Sequence, residues 1–282
     1  MRLILLTTLT MIAFAANSVL NRMGLVQAGM EPVAFGTIRL VSGALVLGVL
    51  ALVLRGGIAL GGRGRVAGVL ALLVYIYGFS AAYVTLDAGV GALILFGTVQ
   101  ITMFAGAIAA REPIPLLRWL GAMLAFAGLA WLLWPSGTAG TPVAQAVLMV
   151  LAGLGWGVYS LAGRAAGDAL QATAANFLIA APIGFVLGLL LPSGPVAAAT
   201  PVSAQGVWLA VLSGGVTSGL GYALWYSLLS VLGAGRAAVA QLSVPVIAIG
   251  GGLLFLAEVP DLRFLLAAAV VLGGVALSLR AR

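Results

Sequence analysis

The sequence predicts an all-α integral membrane protein: ten transmembrane helices arranged as two inverted five-helix repeats around a central cavity. Of its 282 residues, 63% are hydrophobic and 7% charged, whereas a soluble globule carries about 25% charged residues. Uninterrupted apolar runs of membrane-spanning length, about 20 residues each, recur along the chain. The two halves also resemble each other at an offset near 142 residues.

Reading apolar runs between charged, Gly-rich or Pro-containing breaks places the first five spans at 3–21, 32–54, 66–86, 88–110 and 115–134. The second five fall at 143–163, 170–191, 205–230, 236–257 and 262–279. The longest connection, 192–204, is uncharged and too short for a soluble domain. Arginine placement supports the count, because short cytoplasmic loops collect positive charge. With both termini cytoplasmic, that side receives Arg2, Arg55, Arg63, Arg65, Arg111, Arg118, Arg164, Arg236, Arg280 and Arg282. The opposite side receives Arg22 and Arg263, and Arg39 lies inside the second span. The net charge of +7 is therefore a topology signal for an inner (plasma) membrane protein, and nucleic acid is not an expected partner. The first span has the small residues of a cleavable signal peptide, yet removing it would leave an odd number of spans and break the repeat, so it is expected to stay.

The repeat rests on three correspondences in one order. Residues 14–22, FAANSVLNR, align with 156–164, WGVYSLAGR; Gly89-Val90-Gly91-Ala92 parallels Gly233-Ala234-Gly235-Arg236; and Arg111-Glu112-Pro113 parallels Ala257-Glu258-Val259-Pro260. Repeats of 1–139 and 140–282, each with five spans, must enter the membrane from opposite faces. Such inverted repeats are the architecture of secondary transporters. A duplicated scaffold or channel without a substrate is the alternative.

Composition removes whole classes of chemistry. All 13 basic residues are arginine, and the chain has no Lys, His or Cys, so disulfides, thiolate nucleophiles, Cys/His zinc sites and histidine triads lack their atoms. Six acids scattered mostly at span ends supply no catalytic constellation. No enzyme activity, catalytic residue, metal or cofactor is expected. Gly62-Arg63-Gly64-Arg65-Val66-Ala67 and 233–238 fit a loose dinucleotide pattern, but neither follows a strand or precedes a ribose-binding acid.

Polar side chains at mid-span depth should face a pathway, since lipid exposure is costly. Asn17, Gln100, Ser218 and Gln241 are the candidates; interhelical bonding, at about 0.6 kcal/mol each, is the bland alternative. Tyr75, Phe79 and Tyr83 share one helix face by their i, i+4, i+8 spacing, while Trp156 with Tyr159 and Tyr222 with Trp225 lie a turn apart. A pocket of aromatic faces and amides suits a neutral or zwitterionic organic molecule. Arg39 is read as pairing with Asp87 or Glu258, the alternative being a bond to a substrate carboxylate. Glu112 and Glu258 are candidate gate or helix-end anchors. Pro245 and Pro182 are expected to kink their helices. No acid lies at mid-depth, which points to facilitated transport rather than proton antiport.

The run Gly-Ala-Gly-Arg-Ala-Ala at 233–238, followed by Pro245, Glu258, Leu262-Arg263 and a Gly-bearing last helix, resembles the second EamA-type repeat of the drug/metabolite transporter superfamily. The first half carries a degenerate copy ending at Glu112-Pro113. The resemblance covers essentially the whole chain and is nearest to bacterial exporters of aromatic and other neutral amino acids. It implies ten helices around a central cavity and export of a small molecule by a monomer or weak dimer in the bilayer; a multidrug or other metabolite exporter is the alternative. The residue before the Glu, commonly Gly in that family, is here Arg111 or Ala257.

Overall fold

The computed structural model describes residues 2–111, 114–134, 142–164, 167–190 and 203–280. Among these the regular secondary structure is all helix. α1 (Arg2–Arg22) ends in a π turn (Met23–Gln27); α2 (Pro32–Arg55), α3 (Arg65–Ala82), α4 (Ala88–Ala109) and α5 (Leu116–Leu133) follow. α6 (Val143–Arg164) and α7 (Ala169–Leu190) precede a long helical stretch formed by α8 (Ala204–Val211), a π segment (Leu212–Leu220) and α9 (Gly221–Gln241). α10 (Ser243–Leu256) and α11 (Leu262–Arg280) complete the chain. Among the described residues, eight helices are long and apolar enough to cross a bilayer, and two further apolar helices, Ser243–Leu256 and Leu262–Ser278, are shorter.

Most expected spans coincide with helices to within a few residues, but the break anticipated at 231–235 does not. Helical backbone continues to Gln241, and the interruption falls at Leu242. Glycines are tolerated inside a helix at about 1 kcal/mol each, whereas a proline removes an N–H outright. Pro245 consequently occupies the first turn of α10, where its missing N–H breaks no intrahelical bond. The kink expected there is replaced by a helix boundary, while Pro182 does lie inside α7.

Helix ends are capped by the acids and hydroxyls that the sequence places beside them. Glu31 accepts a 2.7 Å bond from the Ala34 N–H ahead of Pro32 at the start of α2. Asp261 accepts from Phe264 at 2.6 Å, and Ser203 from Gly206 at 3.1 Å. Asp168 accepts from Gln171 and from Arg55 Nε, and the Arg55 bond holds its carboxyl below the usual range.

Packing inverts the pattern of a soluble protein. Large apolar side chains such as Leu45, Val53, Phe126 and Leu254 are exposed, whereas Asn17, Asn21, Arg39, Ser80, Thr98 and Ser218 are buried. Glycines allow the close crossings between helices, as expected where lipid leaves little hydrophobic drive for helix association. A β-carbon on Gly155 would sit 2.7 Å from the Ala71 carbonyl of α3, and those on Gly153 and Gly157 would sit 2.6 and 2.5 Å from the β-carbons of Thr98 and Thr102 on α4. The GxxxG pair at 153/157 is thereby used inside the chain. α5 and α11 pack antiparallel: Gly121 meets Gly274 and Ser278, while Gly128 meets Val270 and Val271.

The loops sort onto two faces. The α2–α3 connection joins the start of α7 through Arg55–Asp168 and the Gln171 bonds to Gly57 and Ala59. On the other face, Arg22 bonds Glu258 and Asp87.

Gly274→Val forces a branched side chain against Gly121 O and Ala125 N, whereas Gly273 has open space. Overpacking of this kind costs roughly 1–3 kcal/mol. Purified Gly274→Val protein is expected to melt several degrees below wild type and Gly273→Val at the wild-type temperature; equal melting temperatures would overturn the α5–α11 contact.

Candidate substrate cavity

The centre of the helix assembly is built from α1, α3, α4, α6 and α9. Phe14 and Asn17 lie one turn apart on α1, as do Tyr75 and Phe79 on α3. With Leu95 and Phe96 of α4, Trp156 of α6 and Tyr222 of α9, they line a cavity of about 10 Å³, room for about one water molecule. The aromatic rings fill it themselves. Trp156 lies 5.0 Å from Tyr75, 4.7 Å from Tyr222 and 6.1 Å from Phe14 between ring centroids, and Tyr159 stacks behind it at 5.5 Å.

Behind this wall lies a polar layer. The Asn17 Oδ1 accepts bonds from the hydroxyls of Ser213 (2.9 Å), Thr217 (2.5 Å) and Ser218 (3.4 Å), tying α1 to the π segment. The wide turn of this segment, common at functional sites, brings all three hydroxyls to one amide. Gly214 makes the approach to α2 possible, because any β-carbon there would collide with Ser42 Oγ and the Arg39 carbonyl.

Arg39 is fully buried. Its Nε donates to Ser218 Oγ at 3.0 Å, and its Nη2 donates to the hydroxyls of Tyr75 (2.8 Å) and Tyr222 (3.2 Å). The Tyr222 hydroxyl donates to that of Tyr75 at 3.1 Å. The guanidinium carbon lies 5.1 Å from the Tyr75 ring centre and 4.9 Å from that of Phe79.

The pairing of Arg39 with Asp87 or Glu258 is not observed. Arg22 takes both acids, at 3.5 and 2.9 Å. Arg39 lies seven residues into α2, about 10 Å along its axis, while the two acids sit at helix ends beside Arg22. Nη1 of Arg22 also donates to the Tyr83 and Val84 carbonyls at the end of α3. Glu258 Oε2 in turn accepts the 2.7 Å bond from Ala88 N–H and so caps α4 from a different part of the chain. One ion pair thus ties α1, α3, α4 and the α10–α11 turn together on this face. A second pocket of about 120 Å³ lies beside it, lined in part by Asp87, Ile249, Glu258, Asp261 and Arg263.

Of the candidate residues, Asn17, Tyr75, Phe79, Trp156 and Tyr222 meet at the cavity, with Tyr159 and Ser218 behind its wall. Tyr83 lies further toward the Arg22 face, its hydroxyl donating to the Ala88 carbonyl. Gln100 and Gln241 are half-buried and do not line the cavity. Asn176, a further polar residue within a span, accepts from Arg65 at 2.6 Å away from the cavity lining. Glu112 lies outside the described residues. Phe14 and Phe96 were missed, although each is a turn from a named polar residue (Asn17, Gln100). The ion pairs of Arg22 with Glu258 and Asp87 were also missed, although all three fall on the same predicted face.

Residues 144–280 match the EamA-like transporter family. The uncharacterized protein PA1977 of Pseudomonas aeruginosa is 46% identical over 281 residues, covering 100% of this chain and 96% of that protein. The chain belongs to the EamA-like transporter family. A crystal structure of a protein 20% identical to this EamA-like chain shares its fold, with a TM-score of 0.66 over 97% of both chains. Membership makes the chain a multi-pass membrane transporter, with a small-molecule substrate and the lipid bilayer as its partners.

Asn17→Ala deletes the shared acceptor of three hydroxyls. Polar contacts between membrane helices contribute about 0.6 and at most about 1.7 kcal/mol in measured cases, so a melting temperature a few degrees below wild type is expected in detergent. An unchanged value would mean that the hydroxyls are satisfied within their own helix, as Thr217 already is in part by the Ser213 carbonyl.

Proposed function

We propose that this EamA-like protein is a secondary transporter that exports small neutral or aromatic amino acids, or similar metabolites, by alternating access. In this reading ten helices form two inverted repeats, 1–139 and 140–282, in the inner membrane with both termini cytoplasmic. The observation that carries it is the buried, mostly aromatic cavity around Asn17, too small for a substrate as it stands, with the Arg22–Glu258 ion pair joining helices on one face of the assembly. Entry to such a site requires the surrounding helices to rearrange.

Several features support the inverted arrangement. The two non-glycine residues with left-handed backbone among the described residues are Arg111 (φ 55°) and Ala257 (φ 54°), which immediately precede Glu112 and Glu258, the paired acids of the two halves. Each ends a helix, α4 and α10, in the conformation usual after a helix C-terminus. The last helices of the two halves, α5 and α11, pack antiparallel on one another through small residues, as copies related by a two-fold axis in the membrane plane would.

Glu258 is fully engaged at a membrane face, by Arg22 and by the α4 N-terminus, so the reading assigns it to closure rather than to proton carriage. Opening that face must break its bonds. A cysteine in place of Leu95 on the cavity wall is the sole thiol of the chain. Its labelling by a membrane-impermeant maleimide from the Arg22 face is expected to accelerate several-fold when Glu258→Gln is added; equal rates would overturn the gate assignment.

Transport itself is tested by efflux from proteoliposomes loaded with labelled phenylalanine or threonine, with and without a pH gradient. Efflux independent of the gradient is expected. Strict dependence on it would replace facilitated transport by proton coupling, and absence of efflux in both conditions would remove amino acids as the substrate.

A further inference from the structure

Among the described residues Asp87 and Glu258 pair with Arg22 and Asp168 pairs with Arg55, Glu31 and Asp261 cap helices, and none reaches Arg39. A guanidinium has five N–H donors and no acceptor. Nε and Nη2 of Arg39 meet the neutral oxygens of Ser218, Tyr75 and Tyr222, while Nη1, also buried, has no hydrogen-bond partner. A full charge is thus held in the protein interior with no counter-ion among the described residues and with Nη1 unused. Its immediate neighbours, Tyr75, Phe79 and Tyr222, are themselves walls of the cavity.

A structural arginine would be expected to pair with a carboxylate, because unpaired buried charge is costly. The arrangement seen here is complete only when an anion is added. One cation without a second basic group fits a monoanion, and a planar fork with open donors fits a carboxylate in particular. The opposite wall, Phe14, Phe96 and Trp156, offers an apolar and aromatic surface to the rest of the ligand.

We infer that Arg39 anchors the carboxylate of the transported molecule, so that substrates are organic monocarboxylates with an apolar or aromatic body and organic cations are rejected. This rests on the transporter reading and narrows it. Separation of the Tyr75–Tyr222 hydroxyl pair exposes the guanidinium to the cavity, and the carboxylate then takes over the bonds of the phenols. A cation entering the same space would face a buried like charge, which excludes it without any specific clash.

Binding to the purified wild-type protein, measured by isothermal titration, tests this without depending on any variant. Phenylalanine and phenylacetate are the carboxylate probes, and phenylalaninamide and phenethylamine the probes without a carboxylate. The carboxylates are expected to bind at least about tenfold more tightly, the scale of one charge-assisted hydrogen bond. Arg39→Gln should abolish that preference and Arg39→Lys retain part of it. Equal binding of phenylalanine and its amide, lack of binding by either carboxylate at millimolar concentration, or an intact preference in Arg39→Gln would overturn the assignment. Efflux is scored separately: carboxylate-selective binding without efflux leaves Arg39 as a carboxylate anchor and removes amino-acid export, whereas efflux of the amide at the rate of the acid removes the anchor alone.

Discussion

Placing a guanidinium at the centre of a membrane protein, with only hydroxyl oxygens to receive it, is the constraint around which the neighbouring helices are organised. An arginine at the centre of a spanning helix costs about 2.5–3.5 kcal/mol even on the mildest scale, and one two turns in from its end still carries part of that cost, so nearby elements contribute compensating dipoles. α3 supplies the Tyr75 hydroxyl and two aromatic faces, α9 the Tyr222 hydroxyl, and the π segment Ser218. Gly214 lets that segment approach the α2 backbone closely enough for Ser218 to reach Arg39. Asn17 then gathers the remaining hydroxyls of the segment onto α1. The polar layer and the aromatic wall of the cavity are two sides of one arrangement, because Tyr75 and Tyr222 belong to both.

Span positions were legible in the sequence because they depend on one quantity, the length of apolar run between breaks, and α2, α4 and α6 begin where that reading puts them. The aromatic face of α3 was legible for a similar reason: a four-residue spacing fixes which side chains share a side. The boundary near 231–242 was not, because Gly and Pro both count as breakers in a sequence while their costs in a helix differ by about 2 kcal/mol. The partners of Arg39 were equally out of reach. Charge alone suggests an acid, but whether Asp87 or Glu258 can reach depends on depth and on the competing Arg22, which only the packed helices reveal. Gln100 and Gln241 illustrate the limit of polarity as a guide, since a half-buried amide need not face the interior cavity.

The two charged faces differ in how they are held. On the side of Arg55, Arg65 and Asp168, side chains bond mostly to backbone carbonyls and amides of a neighbouring loop or helix end, as in the Arg65 contacts with Ala172, Leu60 and Gly61. On the side of Arg22, one guanidinium gathers the contacts, pairing with Glu258 across 236 residues and with Asp87 while bonding the Tyr83 and Val84 carbonyls. Glu258 simultaneously serves as counter-ion to Arg22 and as N-terminal cap to α4, so these two functions are lost together when that carboxylate moves. A contact that fails all at once is suited to a switch, while distributed backbone contacts give way piecemeal.

The three alternating glycines of α6 have a mechanical consequence. Gly155 fits against the backbone of α3 while Gly153 and Gly157 fit against α4, so α6 is keyed on two sides like a spline in its groove. Sliding along either neighbour would lift these threonine and carbonyl groups out of the notches and press them against the flanking side chains of α6. Helices α3, α4 and α6 are thereby interlocked, whereas their joints with α1 and α2 rest in part on side-chain hydrogen bonds, Asn21–Ser80, Thr37–Tyr77 and Arg39–Tyr75, which can be exchanged without lifting one backbone off another.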